Sequence, residues 1–120
     1  MHKKTVVLGA SENLERYSNM AVRKLIAYNH PVVAVGRGEG QINGIKITEE
    51  QALHDGVDTV TLYLNPDNQR EFYEYILGLK PKRIIFNPGS ENDELAKIAA
   101  KRGIEILEAC TLVMLSTGQY

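Results

Sequence analysis

Short apolar runs alternate along this chain with longer, mixed segments. The runs are Thr5-Val6-Val7-Leu8, Val32-Val33-Ala34-Val35, Thr59-Val60-Thr61-Leu62-Tyr63-Leu64, Arg83-Ile84-Ile85-Phe86 and Ile104-Glu105-Ile106-Leu107. Runs of this length without polar alternation predict strands covered on both faces. Glu105 interrupts the fifth, which suits an edge strand with one face partly wet. Between the runs the period changes. Ala21, Val22, Leu25 and Ile26 fall on one helical stripe, as do Phe72, Ile76 and Leu79, and then Leu95, Ile98 and Ala99. The boundaries carry matching signals. Ser18 is placed to open the first helix, Pro31 to start the second strand, and Asn65-Pro66 to supply an N-cap and a first helical residue. Ser90 or Asn92 caps the third helix, Gly103 stops it, and Cys110 to Leu115 predicts a short last helix. One insert follows the second strand. There Gly36-Arg37-Gly38-Glu39-Gly40 reads as a tight or flexible segment, Gly44-Ile45-Lys46-Ile47 as a short extended piece, and Glu49 to Leu53 as one or two helical turns.

This order predicts an α/β chain: a Rossmann-like, doubly wound, five-stranded parallel sheet with helices on both faces, in a single domain over residues 1–120. In such sheets a ligand sits beyond the carboxyl ends of the strands, where loop amides and the positive end of the following helix favour phosphate. The exits at Gly9, Gly36, Asn65 and Asn87 all fall on that edge. An anionic, nucleotide-like ligand is therefore expected there.

Composition narrows the partner. With 14 lysines and arginines against 15 acids and a net charge of −1, the chain has no electrostatic footprint for nucleic acid or an anionic membrane, so a small molecule is expected. The basic start, Met1-His2-Lys3-Lys4, precedes an apolar run too short for a signal peptide or a membrane span, which predicts a cytoplasmic protein. The single cysteine cannot form an internal disulfide. His2, His30 and His54 lie apart without ligand spacing, and no metal is expected.

Several chemistries do not fit the loops. A dinucleotide fingerprint would place G-x-G-x-x-G after the first strand and an acid after the second; here Gly9 is followed by Ala10 and Ser11, and the second position is Arg37. A guanidinium suits an extra phosphate better than a ribose diol. A phosphate-accepting receiver domain needs acids where this chain has Gly9 and Asn65. Neither a Ser-His-Asp grouping, paired carboxylates nor a P-loop lysine can be picked out by spacing, so no reaction is indicated and the chain is read as not an enzyme.

Taken together, these residues resemble the small, single-domain CoA-binding proteins, similar in fold to the CoA-binding domain of the succinyl-CoA synthetase alpha subunit. The resemblance spans nearly the whole chain. It rests on Val7-Leu8-Gly9-Ala10-Ser11 followed by Arg16 and Ser18, on Val33-Ala34-Val35 leading to a glycine-bearing segment and Gly44-Ile45-Lys46-Ile47, on Pro66 after the third strand, on Gly89 before a capped helix, and on Gly103-Ile104 running to Cys110. It implies that Gly9, Ala10, Ser11, Arg16 and Ser18 line a pyrophosphate, that Val35, Gly36 and Arg37 lie beside the adenosine and its 3′-phosphate, and that Asn65 and Pro66 flank the adenine or the pantetheine arm. Gly89 and Cys110 complete the implied set. The family usually has Asn-Pro where this chain has Gly36-Arg37, and a proline where it has Thr111.

Each of these residues also has a plainer reading. Gly9 can be needed only for a tight turn, Ser18 only as a cap, Arg16 and Arg37 as solvated charges, Cys110 as a small core residue, and Tyr63, Phe72, Tyr73 and Tyr75 as packing. The leading functional expectation is non-catalytic binding of CoA or an acyl-CoA. The alternatives are an NADP-binding Rossmann enzyme or subunit, with Arg37 on the 2′-phosphate, and an interaction protein with a vestigial nucleotide site.

Overall fold

The computed structural model describes residues 2–120; Met1, at the head of the basic start, lies outside the described residues. The five expected strands are present as β1 (Thr5–Leu8), β2 (Val32–Val35), β5 (Thr59–Leu62), β6 (Arg83–Phe86) and β7 (Glu105–Glu108), separated by helices and one insert. The insert supplies two more, β3 (Gly40–Ile42) and β4 (Ile45–Thr48). The sheet therefore has seven strands rather than five, in the order β3-β4-β2-β1-β5-β6-β7, and only β3 runs antiparallel to its neighbour. The additional hairpin has a local cause. Asn43 and Gly44 take φ of 47° and 86°, the left-handed pair that a two-residue hairpin turn demands and that Asn-Gly supplies best. Reading Gly44 as the start of an extended piece hides this turn.

Other boundaries move for equally local reasons. No helix forms over Glu49–Leu53: the Glu50 amide donates to Thr48 Oγ1 at 3.0 Å, a side-chain turn that competes with a helix, and Leu53 remains 65% exposed. The segment after β5 is broken into α2 (Pro66–Gln69), a 3-10 turn (Arg70–Phe72) and α3 (Tyr73–Gly78). Asn65 caps it as expected, its side chain accepting the Asn68 amide at 2.9 Å. Asn92, not Ser90, caps α4 (Asp93–Lys101) by accepting the Leu95 amide. Ser18 is not a cap. The helix α1 (Tyr17–Ala27) begins after Arg16, which makes no side-chain capping bond, and Ser18 lies buried inside the first turn.

The sheet separates two apolar layers, as the alternation of Cβ directions along each strand requires. Val6, Leu8, Val60, Leu62, Ile84 and Phe86 pack with Tyr75 and Ile76 of α3 and Leu95 and Ala99 of α4. On the other face Val7, Ala34 and Ile47 pack against Val22 and Leu25 of α1 and Leu115 of α5 (Thr111–Ser116). The hairpin joins this second layer through Ile42, only 3% exposed.

Buried side-chain amides hold the strand exits in place. Asn87 Nδ2 donates to Thr61 Oγ1 at 2.6 Å and to the Leu62 carbonyl at 2.9 Å, while its Oδ1 accepts the Thr111 amide at 2.9 Å. One residue thus ties β5, the end of β6 and α5 together. Gln69 does the same for two loops. Its Nε2 donates to the carbonyls of Leu64 (2.8 Å) and Ser90 (2.7 Å), and its Oε1 accepts from Asn92 Nδ2 (2.9 Å). Gln69→Leu leaves the Leu64 and Ser90 carbonyls without their side-chain donor and takes from Asn92 Nδ2 one of its two acceptors, the Tyr73 hydroxyl remaining at 2.8 Å, so we expect a loss of roughly 2 to 3 kcal/mol. A lower urea midpoint with an unchanged slope checks it, and a shift within error contradicts it.

At the opposite, amino edge, the Lys3 amide donates to His30 Nδ1 at 2.9 Å, so that nitrogen must stay unprotonated. Burial first, then the nearby positive charges of His2, Lys3 and Arg83, lower the His30 pKa below its ordinary 6.5. The unfolded chain therefore binds this proton more readily than the folded one. Stability from this contact is complete above about pH 6.5 and is lost as the pH falls through and below that value toward the folded-state pKa. His30→Asn, which offers an acceptor without titrating, should flatten the decline in urea midpoint between pH 7.5 and 5.5; an unchanged decline would assign it to other groups.

Candidate functional site

The exits of β2, β1, β5 and β6 are neighbours along the carboxyl edge, and together they enclose a cavity of about 500 Å³. The size suits a cofactor or other small ligand. Nine of the twelve residues implied by the family resemblance line it: Gly9, Ala10, Ser11, Arg16, Ser18, Gly36, Arg37, Asn65 and Gly89.

Backbone geometry explains the glycines. Gly9 has φ of +96°, and a Cβ there would lie 3.1 Å from the carbonyl of Tyr63; Gly36 has no such dihedral demand, but its Cβ would sit 2.1 Å from the Ala10 oxygen. The loops leaving β1 and β2 pass in direct contact. Their contact also decides which amides remain available. The N–H groups of Gly9 and Ala10 both donate to the Val35 carbonyl, at 2.8 and 3.0 Å, so neither is left for a phosphate. Anion-binding capacity begins instead at Ser11 and continues into the opening turn of α1, which lacks a side-chain cap. Ser11 Oγ accepts the Asn13 amide at 3.1 Å, which leaves its own proton free to donate toward the cavity. Asn19, 1% exposed, donates from Nδ2 to the Ser11 carbonyl at 2.8 Å, and Arg23 Nε donates to Asn19 Oδ1 at 2.7 Å. That relay anchors the Ser11 carbonyl to the helix.

Arg16 and Arg37 are exposed, and neither is paired with a carboxylate among the described residues. The wall from β5 and β6 differs in character. It adds Tyr63, Leu64, Asn68, Phe72, Pro88 and Ser90, and Tyr17 joins from the start of α1. These seven were not among the implied residues. Tyr63 and Phe72 read as packing because they do pack, each against one core layer, while also presenting a surface to the cavity. The available signal was Asn65-Pro66: a residue before proline is held extended, so the strand ends before it and Tyr63 and Leu64 fall at the carboxyl edge, where they can pack and line the cavity at once. Burial pushes the Tyr63 phenol pKa well up. Its hydroxyl is buried without a hydrogen-bond partner and lies near Cys110 and Thr111.

Three implied residues are not at the cavity surface. Val35 is 1% exposed, its side chain in the core and its carbonyl taken by Gly9 and Ala10. Pro66 stands one residue behind Asn65 as the first residue of α2. Cys110 is half-buried at the start of α5, beside the buried end of Tyr63. Among the others, Asn65 spends its side-chain oxygen on the α2 cap, and the Gly89 amide donates to Glu91 Oε1 at 2.9 Å. Among the described residues no group of His, Cys, Asp or Glu is arranged to hold a metal, and no helix is long and apolar enough to cross a membrane.

Comparison with known proteins agrees with the fold. A crystal structure of an uncharacterized protein is 50% identical and superposes with a TM-score of 0.97, covering 100% of this chain and 99% of its own. A hypothetical protein from Pyrococcus horikoshii OT3 (24% identity, TM-score 0.87, coverage 97% and 83%) and a protein from Thermus thermophilus (21%, 0.86, 99% and 91%) share the architecture alone. No curated protein matches the chain. The family model described as CoA binding domain matches residues 3–116, and on that match the chain belongs to the CoA binding domain family.

Proposed function

We propose that this chain binds CoA or an acyl-CoA at the carboxyl edge of its sheet, holding the ligand without transforming it. The observation that carries the reading is the convergence, on the lining of a single cavity, of the uncapped opening turn of α1, Ser11 and Ser18, and the guanidinium groups of Arg16 and Arg37, neither paired with a carboxylate among the described residues. Dipole, hydroxyl donors and cations of this kind suit a pyrophosphate together with a further phosphate. Family membership favours CoA as the molecule that bears them. In this reading Ser11, Arg16 and Ser18 hold the pyrophosphate, Arg37 meets the 3′-phosphate, and Leu64, Phe72 and Pro88 give the less polar wall to the pantetheine arm or an acyl chain. The ionisable side chains lining the cavity are two arginines and two tyrosines, a set suited to holding anions rather than to moving protons near neutral pH.

CoA should raise the melting temperature by mass action, because it binds only the native state, and NADP should raise it far less. Equal protection by NADP would replace this reading with a redox one. Arg37→Ala should weaken CoA by roughly 1.5 to 3 kcal/mol, the range for hydrogen bonds to charged groups, while leaving dephospho-CoA nearly unchanged. Isothermal titration checks this, and an equal loss for both ligands would remove Arg37 from the 3′-phosphate.

A further inference from the structure

We propose that Glu12 is a specificity-determining positioning residue: its carboxylate latches the β3–β4 hairpin to the loop leaving β1, and so presents Arg37 to the 3′-phosphate. The inference rests on the CoA reading above and adds to it a residue outside the cavity lining. Glu12 Oε2 accepts the backbone amide of Gln41 at 3.0 Å, across 29 positions of sequence. Gln41 lies on β3, the outermost strand, so the carboxylate satisfies an edge amide that would otherwise face water or another chain.

A second, independent observation marks the same contact. A Cβ on Gly40 would lie 2.2 Å from Glu12 Cδ and 2.5 Å from its Cγ, so the side chain lies flat on a seat that only glycine leaves open. Gly40 has no left-handed φ, and its backbone alone would accept alanine. Arg37 stands between two fixed points. On one side the Gly36 amide donates to the Thr48 carbonyl at 3.0 Å, and its Cα rests against the Ala10 carbonyl. On the other, Gly40 pairs with Ile47 and carries Glu12. The arch of residues 37–39 is thus tied at both ends to the loop that bears Ser11. Without the latch only one tie to that loop remains, and Arg37 must be ordered when ligand arrives, at a cost in conformational entropy.

Three variants separate these effects. Glu12→Gln keeps an acceptor and removes the charge, Glu12→Ala removes both, and Gly40→Ala keeps Glu12 but fills its seat. The quantity read is the ratio of dissociation constants for dephospho-CoA and CoA, by titration calorimetry. We expect the wild-type ratio in Glu12→Gln, a ratio lower by roughly three- to tenfold in Glu12→Ala and Gly40→Ala, and no further fall when Glu12→Ala is added to Arg37→Ala. In the ligand-free protein, Gln41 amide exchange should quicken in Glu12→Ala and not in Glu12→Gln. Equal ratios for Glu12→Ala and Glu12→Gln, or Gln41 exchange indifferent to Glu12→Ala, would overturn the latch. An Arg37→Ala that lowers the ratio while Glu12→Ala does not refutes the latch alone, whereas an Arg37→Ala without effect refutes the 3′-phosphate assignment and the latch with it.

Discussion

One carbonyl sets the geometry of the site. The oxygen of Val35 accepts the amides of both Gly9 and Ala10, and this shared bond draws the exits of β1 and β2 together until the Gly36 Cα meets the Ala10 oxygen. Three consequences follow from that contact. Glycine is required at 9 and 36, for a left-handed dihedral in one case and for space in the other. The first two amides of the loop are taken by the Val35 carbonyl, so the free donors of this loop begin at Ser11 and the opening turn of α1. And Arg37, one residue past the contact, is delivered to the cavity by the same crossing that builds its floor.

The loops around this crossing are held by buried side-chain amides rather than by apolar packing alone. Asn19, Gln69, Asn87 and Asn92 each use both ends of the carboxamide, and each joins a cavity loop to a helix or to a second loop. A carboxamide does this well because it donates and accepts at fixed angles without carrying charge, so it can be buried at modest cost once both ends are satisfied. The division of labour is visible in the cavity itself. The cavity lining keeps the Ser11 and Ser18 hydroxyls, the opening turn of α1 and two guanidinium groups, while most of the structural hydrogen bonding is done by the carboxamides around it.

The polar end and the less polar wall come from different halves of the chain. The exits of β1 and β2 and the start of α1 contribute both arginines with Ser11 and Ser18, while the segments after β5 and β6 contribute Leu64, Phe72 and Pro88 alongside the polar Asn65, Asn68 and Ser90. A cavity cationic on one side and partly apolar on the other is in keeping with membership of the CoA binding domain family. The strand order places the reversal of winding between β1 and β5, where a doubly wound sheet opens its crevice.

The α/β class, the five principal strands, the edge position of Glu105 and the carboxyl edge as the place of the cavity were legible in the sequence because each depends on local pattern, whereas the individual lining residues named beforehand came from the family resemblance. Apolar runs of four to six residues, helical stripes and capping residues report burial on their own, and a parallel sheet built from short crossovers has one carboxyl edge to which every strand exit must come. The β3–β4 hairpin was legible in principle, since Asn43-Gly44 carries its turn, yet a three-residue strand has too little periodicity to announce itself. What only the tertiary structure decided were relations between residues far apart in the chain. That the Gly9 and Ala10 amides are spent on Val35, that Ser18 is buried rather than capping, that Tyr63 packs and lines a cavity at once, and that Glu12 rests on Gly40 all depend on which backbones pass within contact distance, and no spacing along a single chain encodes that distance.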